Sequence, residues 1–243
     1  MTDPVVIRIR PASDADASLW GLTHEIAAIL HSLPWVLIGG QMVALLEAEH
    51  GAAIGFATGD VDALVDVRAM FGVTLEGSQR LLDAGFEPDH GGARGYRFVR
   101  DGAIVDVLAP DDLDARAELR TVPPDTTMQI VGGTQALARA RMVEVDSGDG
   151  SFRIRIPALA GAIIIKSRAA AVAQESRDKH ERDLARLLAL VPDVVSLRAE
   201  LTARERGYLR AHRALLAVGH PAWRRIAGAQ DGVSALAYII AID

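Results

Sequence analysis

The sequence predicts an α+β fold: a mixed sheet with flanking helices over residues 1–156, followed by an α-helical part over residues 157–243. Three observations predict it. Short apolar segments of strand length alternate with helix-spaced segments as far as Ile156. From Pro157 the pattern is helical nearly to the end, with breaks near Val191-Pro192 and Gly219-His220-Pro221. The charge also changes sign near this boundary: residues 1–150 carry 11 Lys/Arg against 23 Asp/Glu, and residues 151–243 carry 15 against 9. An acidic half joined to a basic half suggests two modules, with any polyanion meeting the second. Arginine-rich helical surfaces would produce the same bias.

The elements follow in order. Trp20, Ile26, Leu30 and Leu33 give a helical period over 15–33. Trp35-Val36-Leu37-Ile38 is a short apolar strand stopped by Gly39-Gly40. Helical spacing resumes through Met42, Leu45 and Leu46 and ends near His50-Gly51, where glycine suits a C-cap. A strand is expected over 61–67 and a helix over 75–84, with Gly85 as its stop. Segments 96–99 and 103–108 flank Asp101-Gly102, a dipeptide suited to a two-residue hairpin turn, and Pro110 closes the second strand. Further strands are expected at 128–131, 142–145 and 152–156, the last two separated by a turn-rich stretch at 146–150. No repeat or low-complexity tract interrupts this order.

Composition narrows the class. The chain has 243 residues, half of them hydrophobic and 24% charged, which suits a soluble globular protein with a substantial core. The longest apolar run, from Ala158 to Ile165, is too short to span a bilayer. The N-terminal segment has neither the basic start nor the apolar core of a signal peptide. With no cysteine, disulfides and thiolate metal sites are excluded, and a cytoplasmic location is expected.

Asp60 and Asp62 carry the strongest chemical signal. Two residues apart on a strand, they leave the same face. Adjacent carboxylates repel, and each loses solvation unless a cation joins them. Mg²⁺ or Mn²⁺ meets that need through hard oxygen ligands, keeping positions open for phosphate oxygens. A solvated strand edge is the alternative for an isolated Asp-x-Asp pair; here the flanks are apolar and the preceding Ala57-Thr58-Gly59 is compact. Gly39 and Gly40 join a strand to a helix start, where phosphate can approach the backbone and meet the first N–H groups. A tight turn without a ligand is the other meaning of that pair. Asp106, inside the apolar segment Ile104-Val105-Asp106-Val107-Leu108, would need a metal, a proton to abstract, or an exposed position on an edge strand.

Taken together, Gly39-Gly40, the helix to His50-Gly51, Thr58-x-Asp60-x-Asp62 and the isolated Asp106 resemble the core of the polymerase-β-type nucleotidyltransferase superfamily. The interval between the glycines and Asp-x-Asp is most similar to that of the AbiEii-like toxins of abortive-infection and toxin–antitoxin systems, including the MenT-type tRNA nucleotidyltransferases. The helical half extends the resemblance: 157–168 offers a helix with Lys166, and Lys179-His180-Glu181-Arg182-Asp183-Leu184 is similar to the group's Lys-Asp-x-x-Asp-Leu. The resemblance spans roughly residues 35–190. It implies a nucleotidyltransferase-type mixed sheet, divalent metal held by Asp60, Asp62 and Asp106, and NTP phosphates held by Gly39, Gly40 and Lys166. It also implies that Asp183 orients Lys166 or assists the attacking hydroxyl. Three residues depart from the group's pattern: Gln41 where a small hydroxyl residue is common, Phe56 where many relatives have arginine, and His180 in place of the first aspartate.

The expected activity is transfer of NMP from an NTP to an acceptor hydroxyl. The resemblance implies the 3′ end of tRNA as acceptor, its backbone meeting the basic half, and an antitoxin protein as partner; no membrane is expected. An acidic pocket equally suits a cationic small molecule of the aminoglycoside type, and a protein hydroxyl is a further acceptor class. Gln41, Phe56 and His180 motivate a third possibility, a degenerate module that binds nucleotide without turnover. Arg204, Arg206, Arg210, Arg213, Arg224 and Arg225 form either a polyphosphate-binding face or a solvated helical surface.

Overall fold

The computed structural model describes residues 4–54, 59–91, 95–148 and 150–241. Phe56 and Thr58 lie outside these described residues. The N-terminal part runs β1 (Val5–Arg8), α1 (Asp14–Ile29), β2 (Trp35–Leu37), α2 (Gly39–Glu49), β3 (Asp60–Val65), α3 (Val73–Asp83), β4 (Glu87–Pro88), β5 (Arg97–Arg100) and β6 (Ala103–Pro110). It continues through β7 (Gln129–Ile130), α4 (Gly133–Ala138), β8 (Ala140–Asp146) and β9 (Ser151–Pro157). The remainder is helical: α5 (Leu159–Val172), α6 (Arg177–Ala189), α7 (Val194–Glu200), α8 (Ala203–Arg210), two short 3₁₀ turns and α9 (Ala229–Ile240). The α+β class read from the sequence is therefore observed. Among the described residues, no helix is long and apolar enough to cross a membrane.

The main sheet has the order β2-β3-β6-β5-β4, with β7 added at the end of β6. β3 is parallel to β6 and antiparallel to β2, while β5 is antiparallel to β6. The β5–β6 hairpin turns on Asp101 and Gly102, which both have positive φ, the requirement of a two-residue turn matching strand twist. A second sheet, β1-β8-β9, pairs β1 parallel to β8 and β8 antiparallel to β9.

Several boundaries differ from the sequence reading for local reasons. The first helix stops at Ile29 rather than Leu33, because Ser32 adopts a positive φ ahead of Pro34. β3 starts at Asp60 and ends at Val65, where the Asp66 carboxylate accepts the N–H groups of Arg68 and Ala69 and begins a turn. β1 and α4 have no counterpart in the sequence reading. β1 is only four residues long, and α4 begins on Gly132-Gly133, a dipeptide that reads as a turn.

One contiguous hydrophobic cluster runs through both halves, from Trp20, Leu45 and Val61 to Ile164, Leu187 and Leu236. Two helices lie deep within it. α2 is buried from Gly40 to Glu47, and α5 from Ala160 to Ser167. A helix buried around most of its circumference has no solvent face to carry a polar stripe, which is why neither shows a clean amphipathic pattern. α5 is fixed by close approach: a Cβ on Gly132, at φ +83, would lie 2.9 Å from the Ile165 Cα. Arg168 adds an ion pair to Asp111, at 2.9 Å, beyond the end of β6. Lys166 lies between these two anchors.

Candidate active site

The register of the central strands brings the carboxylates together. Asp62 pairs directly with Asp106 across the parallel β3–β6 ladder, and Asp60 precedes Asp62 by one full pleat on the same face. One oxygen from each of Asp60, Asp62 and Asp106 lies within 4.8 Å of the others, a spacing one or two divalent cations can bridge. Asp106 is 5% exposed and lies on a central strand, so the edge-strand alternative is excluded.

Arg97 completes this face. It pairs with Asp106 across the β5–β6 hairpin and donates two hydrogen bonds to it, Nε to Oδ1 at 2.8 Å and Nη2 to Oδ2 at 2.7 Å. The same Nη2 is 3.7 Å from Asp60 Oδ2. The Asp106 hydrogen bonds push the guanidinium pKa up, holding its charge firmly. Burial raises the Asp106 carboxyl above the usual carboxylate range, and Arg97 only partly offsets this.

Asp62 is the most perturbed acid. Burial, then the charges of Asp60 and Asp106, push its pKa up to about 7, against a weaker downward pull from Lys166 and Lys179. Its carboxylate leans over the start of α2. A Cβ on Gly39, at φ +75, would lie 1.8 Å from Asp62 Oδ2, so only glycine fits there. α2 has no side-chain N-cap, and its first turn opens beside Asp62 with Gly39 and Gly40 in it. Gln41 turns the other way, into the core, where Nε2 donates to Thr23 Oγ1 of α1. Its side chain therefore meets a packing need between α1 and α2.

Lys166 and Asp183 also meet. Nζ donates to Asp183 Oδ2 at 2.7 Å, and both residues are 4% exposed. Asp183 Oδ1 accepts from Arg186 Nη1 at 3.2 Å, and Arg186 Nε donates to Glu47 Oε1 at 2.6 Å, with a second bond from Nη2 to Glu47 Oε2. A buried chain of alternating charge thus runs Lys166–Asp183–Arg186–Glu47 and ties α5 and α6 to α2.

Beside Asp62 and Lys166 opens a cleft of about 320 Å³. Gly39, Asp62, Lys166 and His180 border it, and the rest is mainly apolar, including Leu108, Met128, Ile130 and Val172. Burial and the Lys166 charge push the His180 pKa down to about 4, so the ring is neutral near pH 7, with Nδ1 buried and without a hydrogen-bond partner among the described residues. Arg206 and Arg210 donate to the carbonyls of Leu201 and Ile240, whereas Arg204, Arg213, Arg224 and Arg225 are exposed.

No family model, curated protein or solved structure matches this chain.

The structure thus brings Gly39, Gly40, Asp60, Asp62, Asp106, Lys166 and Asp183 to one region. It adds Arg97, Arg186 and Glu47, which the sequence reading missed. Arg97 was accessible to reasoning: a two-residue turn at 101–102 places 97 opposite 106. A second signal lies in composition. Of 26 basic residues only Lys166 and Lys179 are lysines, and both act electrostatically on Asp62. Glu47 and Arg186, separated by 139 positions, carry no pattern that links them.

Proposed function

We propose that the chain is a metal-dependent nucleotidyltransferase that moves NMP from an NTP to an acceptor hydroxyl. In this reading residues 1–156 form a nucleotidyltransferase-type catalytic domain, and residues 157–243 a helical domain contributing the phosphate-binding lysine. The observation that carries it is the convergence of three carboxylates from neighbouring parallel strands on the uncapped start of α2, beside a buried lysine.

The donor set fits Mg²⁺ or Mn²⁺: three hard carboxylates within 4.8 Å, one of them, Asp62, pushed up to about 7 by burial and by the charges of Asp60 and Asp106. Asp60, Asp62 and Asp106 would hold the metal, which when bound supplies charge neutralisation at the transferring phosphoryl group. Arg97 is compatible with this role for Asp106, since a carboxylate has about four lone-pair sites and the guanidinium takes two. Gly39 and Gly40 present the first N–H groups of α2 to the phosphates, and Lys166 offsets their charge. The apolar wall of the cleft covers the nucleoside. The acceptor oxygen attacks the α-phosphorus, the bond to the bridging oxygen of the β-phosphate breaks, and pyrophosphate leaves. The hydroxyl proton passes to Asp106. Most of the rate enhancement is then positioning and electrostatics.

The sequence resemblance points to a tRNA 3′ end as acceptor, as in toxins of toxin–antitoxin systems. Incubation with total RNA, Mg²⁺ and each α-labelled NTP tests the reading. Label transfer that Asp60→Ala abolishes supports it; transfer retained in full by Asp60→Ala rules it out.

One observation favours a second reading. Arg97 already neutralises Asp106, which suits a module that binds nucleotide without turnover. Mg²⁺-dependent NTP binding with no pyrophosphate release across RNA, aminoglycoside and protein acceptors would select it.

A further inference from the structure

Lys166 stands at the open end of the buried ionic chain. It borders the cleft, yet it is only 4% exposed. An ammonium has three donors, and among the described residues Asp183 accepts the single hydrogen bond Lys166 makes. Arg186 is bound differently. Glu47 grips it through two hydrogen bonds, and it reaches Asp183 with a third, on the oxygen that Lys166 does not use.

Asp183 therefore has two cations, one fixed and one facing the cleft. The asymmetry has a physical consequence. If Lys166 turned to an anion in the cleft and Asp183 had no other partner, a buried carboxylate would be stranded, which is strongly unfavourable. Arg186 removes that obstacle because it is already in place.

We propose that Lys166 is a transferable cation. It leaves Asp183 for the phosphates of a bound triphosphate, while Arg186, fixed by Glu47, remains as the counterion of Asp183. Arg186 and Glu47 are positioning residues that act through Asp183. The proposal rests on the triphosphate reading of the cleft, and its test separates the two.

Lysine-selective ¹⁵N labelling gives two side-chain signals, Lys166 and Lys179, because the chain has no other lysine. The probe is inorganic tripolyphosphate with Mg²⁺, titrated against the full chain while the Nζ signals are followed. In the wild type the Lys166 signal shifts as tripolyphosphate binds. The variant Glu47→Gln/Arg186→Met removes a cation and an anion together, and its fold is checked by thermal melting. It should bind the probe about tenfold more weakly, because Lys166 can no longer leave Asp183 without stranding it. Adding Asp183→Asn to that variant removes the stranded charge and should restore most of the affinity. A merely structural role for Arg186 predicts no such rescue.

The proposal is overturned if tripolyphosphate does not bind, if it binds without moving the Lys166 signal, if Glu47→Gln/Arg186→Met binds as well as wild type, or if Asp183→Asn gives no rescue. Nucleotidyl transfer that depends on Asp60, with a Lys166 signal that stays still, would remove this inference alone. A shifting Lys166 signal and a successful rescue, without nucleotidyl transfer to any acceptor, would remove the enzyme reading alone.

Discussion

Arg97 donates two hydrogen bonds to Asp106 from the neighbouring strand, and its Nη2 also lies 3.7 Å from Asp60. One guanidinium thus balances part of a three-carboxylate cluster from within the chain. Replacing it by alanine leaves Asp106 buried without that partner, which should destabilise the protein by about 2–3 kcal/mol in the absence of divalent ions. Mg²⁺ should then recover more stability in Arg97→Ala than it adds to the wild type. Thermal melting in EDTA and in Mg²⁺ checks both effects. An equal Mg²⁺ increment in the two proteins would count against a metal at this cluster.

Gly39 makes a second test of the same geometry. A methyl group there would sit 1.8 Å from Asp62 Oδ2 and would also have to tolerate φ +75. Gly39→Ala should cost about 1–3 kcal/mol of stability and should displace Asp62 from the start of α2. Nucleotidyl transfer should fall at least as far as in Asp62→Ala, while Gly51→Ala, a positive-φ glycine with open space around it, serves as the backbone control. Full activity in Gly39→Ala would show that Asp62 does not need its present position.

Much of this site is legible because it is local or periodic. The Asp-x-Asp spacing puts both carboxylates on one face, and the Asp101-Gly102 turn fixes which residues oppose each other in the hairpin. What the sequence withholds is the pairing of β3 with β6, two strands about forty positions apart, and with it the direct opposition of Asp62 and Asp106. The buried chain from Lys166 to Glu47 is hidden for the same reason, since its last link joins residues 139 positions apart. Arg186 and Glu47 both read as ordinary polar residues on helices, and only tertiary packing buries them together. Gln41 misleads in the opposite direction. By position it belongs to the glycine turn at the start of α2, yet its side chain enters the α1–α2 contact.

His180 should leave a mark on the acid side of the stability profile. Burial and the Lys166 charge hold its pKa at about 4, against a reference value of 6.5. A depressed native pKa contributes stability that is present above about pH 6.5 and is lost as pH falls towards 4. His180→Phe removes the titration while keeping a ring against the cleft. Wild type should therefore lose about 1–2 kcal/mol relative to the variant between pH 7.5 and pH 5, allowing for the ring's partial solvent contact. Urea unfolding at the two pH values measures the difference; parallel behaviour would show that the ring protonates without penalty.

Asp62 should behave in the opposite sense. Its native pKa is raised from 3.8 to about 7, through burial first and the charges of Asp60 and Asp106 next. Between these values the native protein binds a proton that the unfolded chain does not, so this contribution to stability is complete below about pH 4 and lost as pH rises through 7. Asp62→Asn holds the neutral form at every pH. In EDTA at pH 8 the variant should therefore be more stable than wild type by about 2 kcal/mol, and near pH 4 the two should converge. Mg²⁺ should reverse the order at pH 8, because the cation stabilises the ionised carboxylate and has less to gain from an amide. Its apparent affinity for wild type should rise between pH 5.5 and pH 8 as the proton it displaces becomes easier to remove. Chemical unfolding of both proteins, with and without Mg²⁺ at pH 5.5 and 8, reads all three effects. Wild type more stable than Asp62→Asn in EDTA at pH 8 would mean that hydrogen-bond donors, rather than a cation, compensate Asp62. The case for a metal between β3 and β6 would then fall with it.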